Sequence, residues 1–159
     1  MTVTKPPVAG FTTPPSSGES VRAPHVLLVD DDAIVLRALG RLLVGTRPAW
    51  TFDMVESSEA ALRLLEDTSY DVVVTDLQMP GRDGGWLLAQ LAARYPLTWR
   101  LVHSSHVMTM DEAARKLAHG FVRKPAHIDE LVFALELAAE RRRRSLRLAV
   151  KCANDGRKV

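Results

Sequence analysis

Residues 70–84, YDVVVTDLQMPGRDG, constrain the fold more than any other stretch of this 159-residue chain. Val72, Val73 and Val74 form a β-branched run without polar alternation, the pattern of a strand covered on both faces of its sheet. Such cover comes from helices on either side, so the run points to a parallel α/β sheet. It ends at a single acid, Asp76, at the strand's carboxyl end, and in open α/β sheets that edge is where ligands bind. Met79, Pro80, Gly81, Asp83 and Gly84 follow as turn chemistry, proline fixing φ and glycine admitting conformations that a side chain forbids. Asp76 is therefore read as a carboxylate presented for chemistry; the competing reading is a cap on the next helix.

The rest of the chain repeats this arrangement. Residues 25–29 (HVLLV) form another apolar run, and it ends in Asp30, Asp31 and Asp32. Residues 33–44 place Ile34, Leu36, Leu39, Leu42 and Leu43 at helical spacing as the expected buried face, with Arg37 and Arg41 toward water. Residues 51–56 alternate as a strand, and Ser57 or Ser58 caps a helix through Leu65 that packs through Ala60, Ala61, Leu64 and Leu65. Residues 85–94 read as a helix with Trp86, Leu87 and Leu91 inward, closed by Tyr95-Pro96. Residues 99–104 are the fourth strand, and Thr109 to Glu112 has capping-box spacing for a short helix to His119. Residues 121–124 are the fifth strand, and a final helix from Ile128 runs to about Leu148. Five βα units in succession predict a parallel sheet, helices on both faces and right-handed crossovers.

Charge is distributed unevenly. Residues 1–140 carry 13 Lys and Arg against 18 Asp and Glu, whereas residues 141–159 carry 8 against 1, so the formal +2 hides an acidic body and a basic tail. Cys152 is the sole cysteine, which excludes an intrachain disulfide and a thiolate metal cluster and fits a reducing cytoplasm. No stretch approaches the roughly 20 apolar residues that span a bilayer, and the N-terminus lacks the apolar core of a signal peptide. A soluble, cytoplasmic protein without a membrane partner is expected. Residues 1–24 hold five prolines among Thr, Ser and Gly and read as a disordered leader. Residues 25–140 read as one domain, and residues 141–159 as a basic helical extension and tail.

Four of the strands deliver polar groups to their carboxyl ends: Asp30, Asp31 and Asp32, then Asp76, then Ser104 or Ser105, then Lys124. Clustered carboxylates repel one another and call for a cation, and an oxygen-only set at an open site suits Mg²⁺ better than a soft metal. A lysine and a hydroxyl beside them make a pocket for a phosphoryl group. The acid itself can be the nucleophile, forming an acyl phosphate.

These motifs, in this order and spacing, resemble the receiver (CheY-like) domain of two-component response regulators over residues 25–140. LLVDDD resembles the family's acidic pair, which implies that Asp30 and Asp31 hold Mg²⁺, Asp31 directly and Asp30 largely through water, with Asp32 at a variable position. VVVTDLQMPGRDG resembles the phosphoacceptor segment, which implies that Asp76 takes the phosphoryl group and that the backbone carbonyl of Gln78 completes the metal ligands. Ser104 in LVHSSH matches the Thr/Ser that follows the phosphate, and Ser105 the adjoining small residue. FVRKP implies that Lys124 pairs with the phosphoryl oxygens, that the Lys124–Pro125 bond is cis, and that Phe121 is the switch aromatic. The fold implied is flavodoxin-like, a doubly wound (βα)5 sheet of order 2-1-3-4-5. The partners implied are a sensor histidine kinase or histidine phosphotransfer protein and a downstream protein at the face of the fourth helix, fifth strand and fifth helix, with a homodimer as a further option. The expected reading is a stand-alone phosphoacceptor rather than a conventional enzyme, forming and hydrolysing its aspartyl phosphate in its own pocket.

Departures from the family pattern gather at the fourth helix, where Leu117-Ala118-His119-Gly120 leads straight into Phe121, so this helix or its exit is shortened. Gln78 and His106 flank the phosphate at variable positions. The five histidines show no zinc pattern and are read as surface groups or groups supporting the pocket. Trp50, Trp86 and Trp99 are packing residues. On the last helix, Ile128, Leu131, Leu135 and Ala138 make the inward stripe, while Phe133 and Leu137 lie on another face, as broader burial or as a partner patch. The basic run Arg141–Arg144, Arg147, Lys151, Arg157 and Lys158 reads as a solvated helix end, and nucleic acid is not an expected partner. The alternative is a receiver whose basic tail binds nucleic acid or an acidic partner directly. A small-molecule aspartyl-phosphate phosphatase is the enzyme-class rival, and Gln78, where such enzymes carry a second acid, speaks against it.

Overall fold

The computed structural model describes residues 22–155. Its elements are β1 (His25–Val29), α1 (Ala33–Thr46), β2 (Thr51–Val55), α2 (Ser58–Asp67), β3 (Val72–Thr75), α3 (Gly84–Arg94), β4 (Trp99–Ser104), α4 (Glu112–Leu117), β5 (Gly120–Arg123) and α5 (Ile128–Asp155), with a 3-10 turn at Val107–Thr109 before α4. The strands pair in parallel in the order 2-1-3-4-5, so the flavodoxin-like architecture expected from the sequence is the one found. The two most apolar runs lie side by side at its centre, Val26 opposite Val72 and Leu28 opposite Val74. Period-two alternation then divides their side chains between two cores. Val26, Leu28, Val72, Val74, Leu101 and Val122 pack against Leu36 and Leu43 of α1 and Leu131, Leu135, Ala138 and Ala139 of α5. Leu27, Val29 and Val73 pack on the other face against Ala61, Leu62 and Leu65 of α2 and Leu87 and Leu91 of α3. Trp50 and Trp99 border the first core and Trp86 the second.

Some local expectations are corrected. Ile34 and Leu42 are exposed, because α1 presents one narrow stripe centred on Leu36, Gly40 and Leu43. Gly40 belongs to that stripe because a β-carbon there would stand 2.7 Å from the Met54 sulfur. Ser57, not Ser58, caps α2, accepting from the Ala60 N–H, and the helix continues to Asp67. The cap of α4 is Asp111, which accepts from the Ala114 N–H at 2.7 Å, whereas Thr109 closes the preceding 3-10 turn. Helix α4 has six residues and stops at Leu117, short of His119, because the His119 N–H already bonds the Arg100 carbonyl at the sheet edge at 2.8 Å. The buried Arg100 guanidinium donates to the Leu117 carbonyl at 2.7 Å and so covers an end of α4 that would lack partners.

Helix α5 runs to Asp155, past the expected end at Leu148, and its 28 residues span about 42 Å, about twice the length of a six-residue strand. It is anchored where it outruns the sheet. Arg142 lies on the inward stripe, seven residues after Leu135, and pairs with the buried Asp71 just before β3. Asp71 also accepts from the His25 N–H at 2.7 Å and from Arg22 at 3.0 Å. Near by, Asp53 accepts from the Tyr70 hydroxyl at 2.7 Å and meets His25 Nε2 at 2.8 Å, and burial, followed by the hydrogen bond to Asp53 and its charge, pushes the phenol up. Arg142 is thus not part of the solvated arginine run. The leader expected over 1–24 lies outside the described residues except for its last three, as do Arg157 and Lys158. Among the described residues no helix is long and apolar enough to cross a membrane.

Arg142→Ala leaves Asp71 with one charged partner fewer and is expected to lower stability by about 2 kcal/mol. Arg144→Ala, on the outer face, should cost less than about 0.5 kcal/mol. Urea unfolding of the two variants checks the difference.

Candidate functional site

The parallel register brings the candidate groups together. The ladder of β3 continues for one residue, the Asp76 N–H donating to the Val29 carbonyl at 2.9 Å, so Asp76 stands beside the end of β1 and next to Asp30. One carboxylate oxygen each of Asp30, Asp31 and Asp76 lies within 4.8 Å of the others. On the far side the Lys124 N–H bonds the Ser104 carbonyl at 3.0 Å, which carries Lys124 one residue past β5 and over the sheet edge. Its ammonium donates to Asp30 Oδ2 at 2.5 Å and to Asp76 Oδ2 at 2.6 Å. The Lys124–Pro125 peptide bond is cis.

Asp76 is held from both ends of its carboxylate. Oδ1 accepts from the backbone N–H groups of Leu77 at 2.5 Å and Gln78 at 3.3 Å, and Oδ2 meets Lys124. Burial alone would push this carboxyl up, but the Lys124 ammonium, the Ser104 hydroxyl and the Gln78 N–H overcome it and hold the acid below its ordinary value. Burial pushes the Lys124 ammonium down, and hydrogen bonds and charge from Asp30 and Asp76 reverse this and raise it. Ser104 is fully buried, and its Oγ accepts from the His106 N–H at 3.2 Å. Ser105 is exposed and meets the His106 ring instead.

Other expected residues fall apart from this cluster. Asp32 caps α1 through the N–H groups of Ile34 and Val35. Phe121 lies on β5, more than a third exposed and facing the Arg115 guanidinium 5.6 Å from its ring. Two further residues matter here: His103, one of the histidines read as surface or supporting groups, and Gly84, read only as turn chemistry. His103, one residue before Ser104, is buried, and burial followed by the Lys124 charge pushes its imidazole down, the two acids opposing. It lies two residues after Leu101 on β4 and so faces the same side of the sheet. Gly84 passes so close to the end of β3 that a β-carbon would stand 1.9 Å from the Asp76 carbonyl oxygen. Gly81 in the same loop has φ +78°, the left-handed region that favours glycine.

Three carboxylates against one ammonium leave the site with excess negative charge and hard oxygen donors, a set that fits Mg²⁺. The model of the response regulator receiver domain matches residues 26–136.

The chain belongs to the response regulator receiver family.

Members of this family are phosphoacceptors and bind Mg²⁺ at acidic residues of the kind clustered here. Among its relatives, the C4-dicarboxylate transport transcriptional regulatory protein DctD of Rhizobium meliloti is 31% identical over 141 residues, covering 84% of this chain and 30% of that protein. The DNA-binding transcriptional regulator NtrC of Escherichia coli is 33% identical over 116 residues, covering 71% of this chain and 24% of that protein. This receiver therefore spans less than a third of the length of these curated relatives. Among solved structures, the signal receiver domain of an HD domain-containing protein from Pseudomonas fluorescens superposes with a TM-score of 0.68 at 28% identity, covering 77% of this chain and 98% of that one. A response regulator receiver domain from Clostridium thermocellum gives 0.67 at 25% identity, with 76% and 97% covered.

The Lys124 contact is worth most between the lowered carboxyl and the raised ammonium values, and is lost as pH falls through the first or rises through the second. With Lys124→Met the cation is lost while the Ser104 hydroxyl and Gln78 N–H remain, so Asp76 is expected to titrate above its wild-type value in a carbon-13 carboxyl NMR titration. The stability gap between wild type and this variant should shrink as pH falls through the variant's higher Asp76 value and then the wild type's lowered one. Gly84→Ala must displace backbone and is expected to cost at least about 2 kcal/mol in thermal or urea unfolding.

Proposed function

We propose that the protein is a phosphorylation-switched signalling receiver in which Asp76 accepts a phosphoryl group from a phosphohistidine on a histidine kinase or phosphotransfer protein, or from a small acyl phosphate. The observation that carries this reading is the single Lys124 ammonium shared between Asp30 and Asp76 at the sheet's carboxyl edge, beside the buried Ser104. Asp30, Asp31, Asp76 and the backbone carbonyl of Gln78 would hold Mg²⁺, which when bound neutralises charge on the phosphoryl oxygens.

The chain's own groups account for the remaining steps. Asp76 Oδ2 attacks phosphorus as the bond to the histidine nitrogen breaks, and the nitrogen keeps the electron pair. Oδ1, held by the Leu77 and Gln78 N–H groups, becomes the carbonyl oxygen of the acyl phosphate. Lys124, relieved of the Asp76 charge, pairs with a phosphoryl oxygen, and the Ser104 hydroxyl turns from the His106 N–H to donate to another. Water later attacks phosphorus, returning the carboxylate and releasing inorganic phosphate. The movement of Ser104 opens space for Phe121 to rotate inward, and the face of α4, β5 and α5 shifts between two packings that a downstream protein distinguishes. Residues 25–140 form the receiver unit in this reading, working in a reducing cytoplasm, and the remainder of α5 is a basic extension.

Incubation with Mg²⁺ and acetyl phosphate followed by intact mass measurement tests the reading. One added phosphoryl group, labile to hydroxylamine, is expected for the wild type and none for Asp76→Asn or in excess EDTA. Lys124→Ala should slow labelling by about 10²-fold, the usual cost of removing one oxyanion donor. An acid-stable label that persists in Asp76→Asn would overturn the assignment.

A further inference from the structure

Helix α5 carries a second stripe opposite the core. Phe133, Leu137, Arg141, Arg144 and Leu148 follow one another at steps of three or four residues and so share one line along the helix. The first half of that line is apolar and open, Phe133 being 67% and Leu137 43% exposed. With Phe121 of the edge strand it borders a groove of about 610 Å³ floored by Trp99, whose ring stacks on His119 at 4.3 Å. Beyond it the line turns basic at Arg141 and Arg144 before closing on the exposed Leu148. Arg141, Arg143, Arg144 and Arg147 border an adjoining concavity of about 450 Å³ that shares Leu137 and Arg141 with the groove, so the two form one surface. One acid stands in each part, Glu130 in the groove and Glu140 on the ridge. None of the ion pairs among the described residues engages Arg141, Arg144 or Arg147.

We infer that this surface docks an amphipathic protein segment whose apolar anchors enter the groove beside Phe121, Phe133 and Leu137 and whose adjoining acidic residues meet Arg141, Arg144 and Arg147. The inference rests on the proposed switching face and names the chemistry of its partner. The order of the stripe selects this occupant. A nucleic-acid backbone would satisfy the arginines but leave the aromatic groove uncovered. A second copy fits neither way: a parallel stripe sets arginine against arginine, and an antiparallel one sets arginine against Phe133 and Leu137. An apolar segment running into acid matches both halves, the groove supplying anchor burial and the ridge supplying register and rate of encounter.

The test is selection from random displayed peptides of about 16 residues, enough for roughly 24 Å of helix. The target is the immobilised full chain, with and without Mg²⁺ and acetyl phosphate. Enriched peptides are expected to carry several Leu, Ile, Phe or Trp residues at helical spacing next to an acidic run. A labelled representative, followed by fluorescence anisotropy, should bind about tenfold or more weakly to Phe133→Ser and to the double variant Arg141→Glu/Arg144→Glu. Both variants should still take one phosphoryl group on Asp76. Absence of enrichment, enrichment of neutral or basic peptides, or affinity unchanged in the two variants would overturn the inference. So would tighter binding of a short DNA duplex to the ridge, or a dimer in sedimentation that Phe133→Ser dissolves. Failure of acetyl phosphate to label the wild type would sink the phosphoacceptor reading alone, because peptide binding to the unphosphorylated chain is judged by the same two variants.

Discussion

One ammonium shared by two carboxylates organises this molecule. Lys124 reaches Asp30 and Asp76 from the opposite side of the sheet edge, and without it three acids would crowd a partly buried site with nothing to offset their repulsion. Distance alone does not give the contact its weight. Lys116 and Glu112 on α4 approach to 2.7 Å, yet their side chains are 73% and 81% exposed, and such a pair contributes about 0.5 kcal/mol or less. Lys124 is 20% exposed and its partners less, so water screens the attraction far less effectively. The parallel register is what makes this possible, because three separate strands must end at one level for the groups to meet.

The opposite edge of the sheet is closed by its own ionic cluster. Asp71 gathers the His25 N–H, Arg22 and Arg142, and Asp53 gathers Tyr70 and His25. The two edges therefore differ in kind. At the carboxyl edge the acids exceed the cations and retain unused lone pairs, which suits exchange of a metal ion or a phosphoryl group. At the amino edge Asp71 is matched by two guanidinium groups and a backbone donor, and the result is an anchor for the middle of α5.

How much of this could be read from the sequence follows from what each signal measures. The valine run before Asp76 announced a doubly covered strand because β-branched side chains without polar alternation have few other stable settings, and the repeated βα pattern announced a parallel sheet; the strand order came only from the resemblance to the receiver family. Asp30, Asp31, Asp76, Ser104 and Lys124 were legible because each ends an apolar run, and the structure brings them together. Helix faces were read less well. Apolar spacing alone could not tell that Ile34 and Leu42 stay outside, since the buried stripe of α1 runs through Leu36, Gly40 and Leu43, and a glycine carries no apolar signal. Nor could composition separate Arg142 from its four neighbours, although its place on the line through Leu131, Leu135 and Ala138 marks it as inward. The tight passage of Gly84 past Asp76 is a contact between loop backbones and has no counterpart in any periodic pattern.

The anchoring of α5 also limits where a switch of the proposed kind can move. The helix is fixed along the sheet by Leu131, Leu135, Ala138 and Ala139, to the residue that ends α1 by the Glu136–Arg47 pair, and to the amino edge by Arg142. Shifting it would disturb the core and two ionic contacts together. Helix α4 is far less constrained: six residues, with Ala114 its one buried side chain, tied at its end through Arg100. On the proposed mechanism, then, α5 serves as a fixed rail that carries the groove and the arginines. The element free to respond at the pocket is Phe121 with the short helix beside it, and its movement would alter the groove wall while leaving the basic ridge in place.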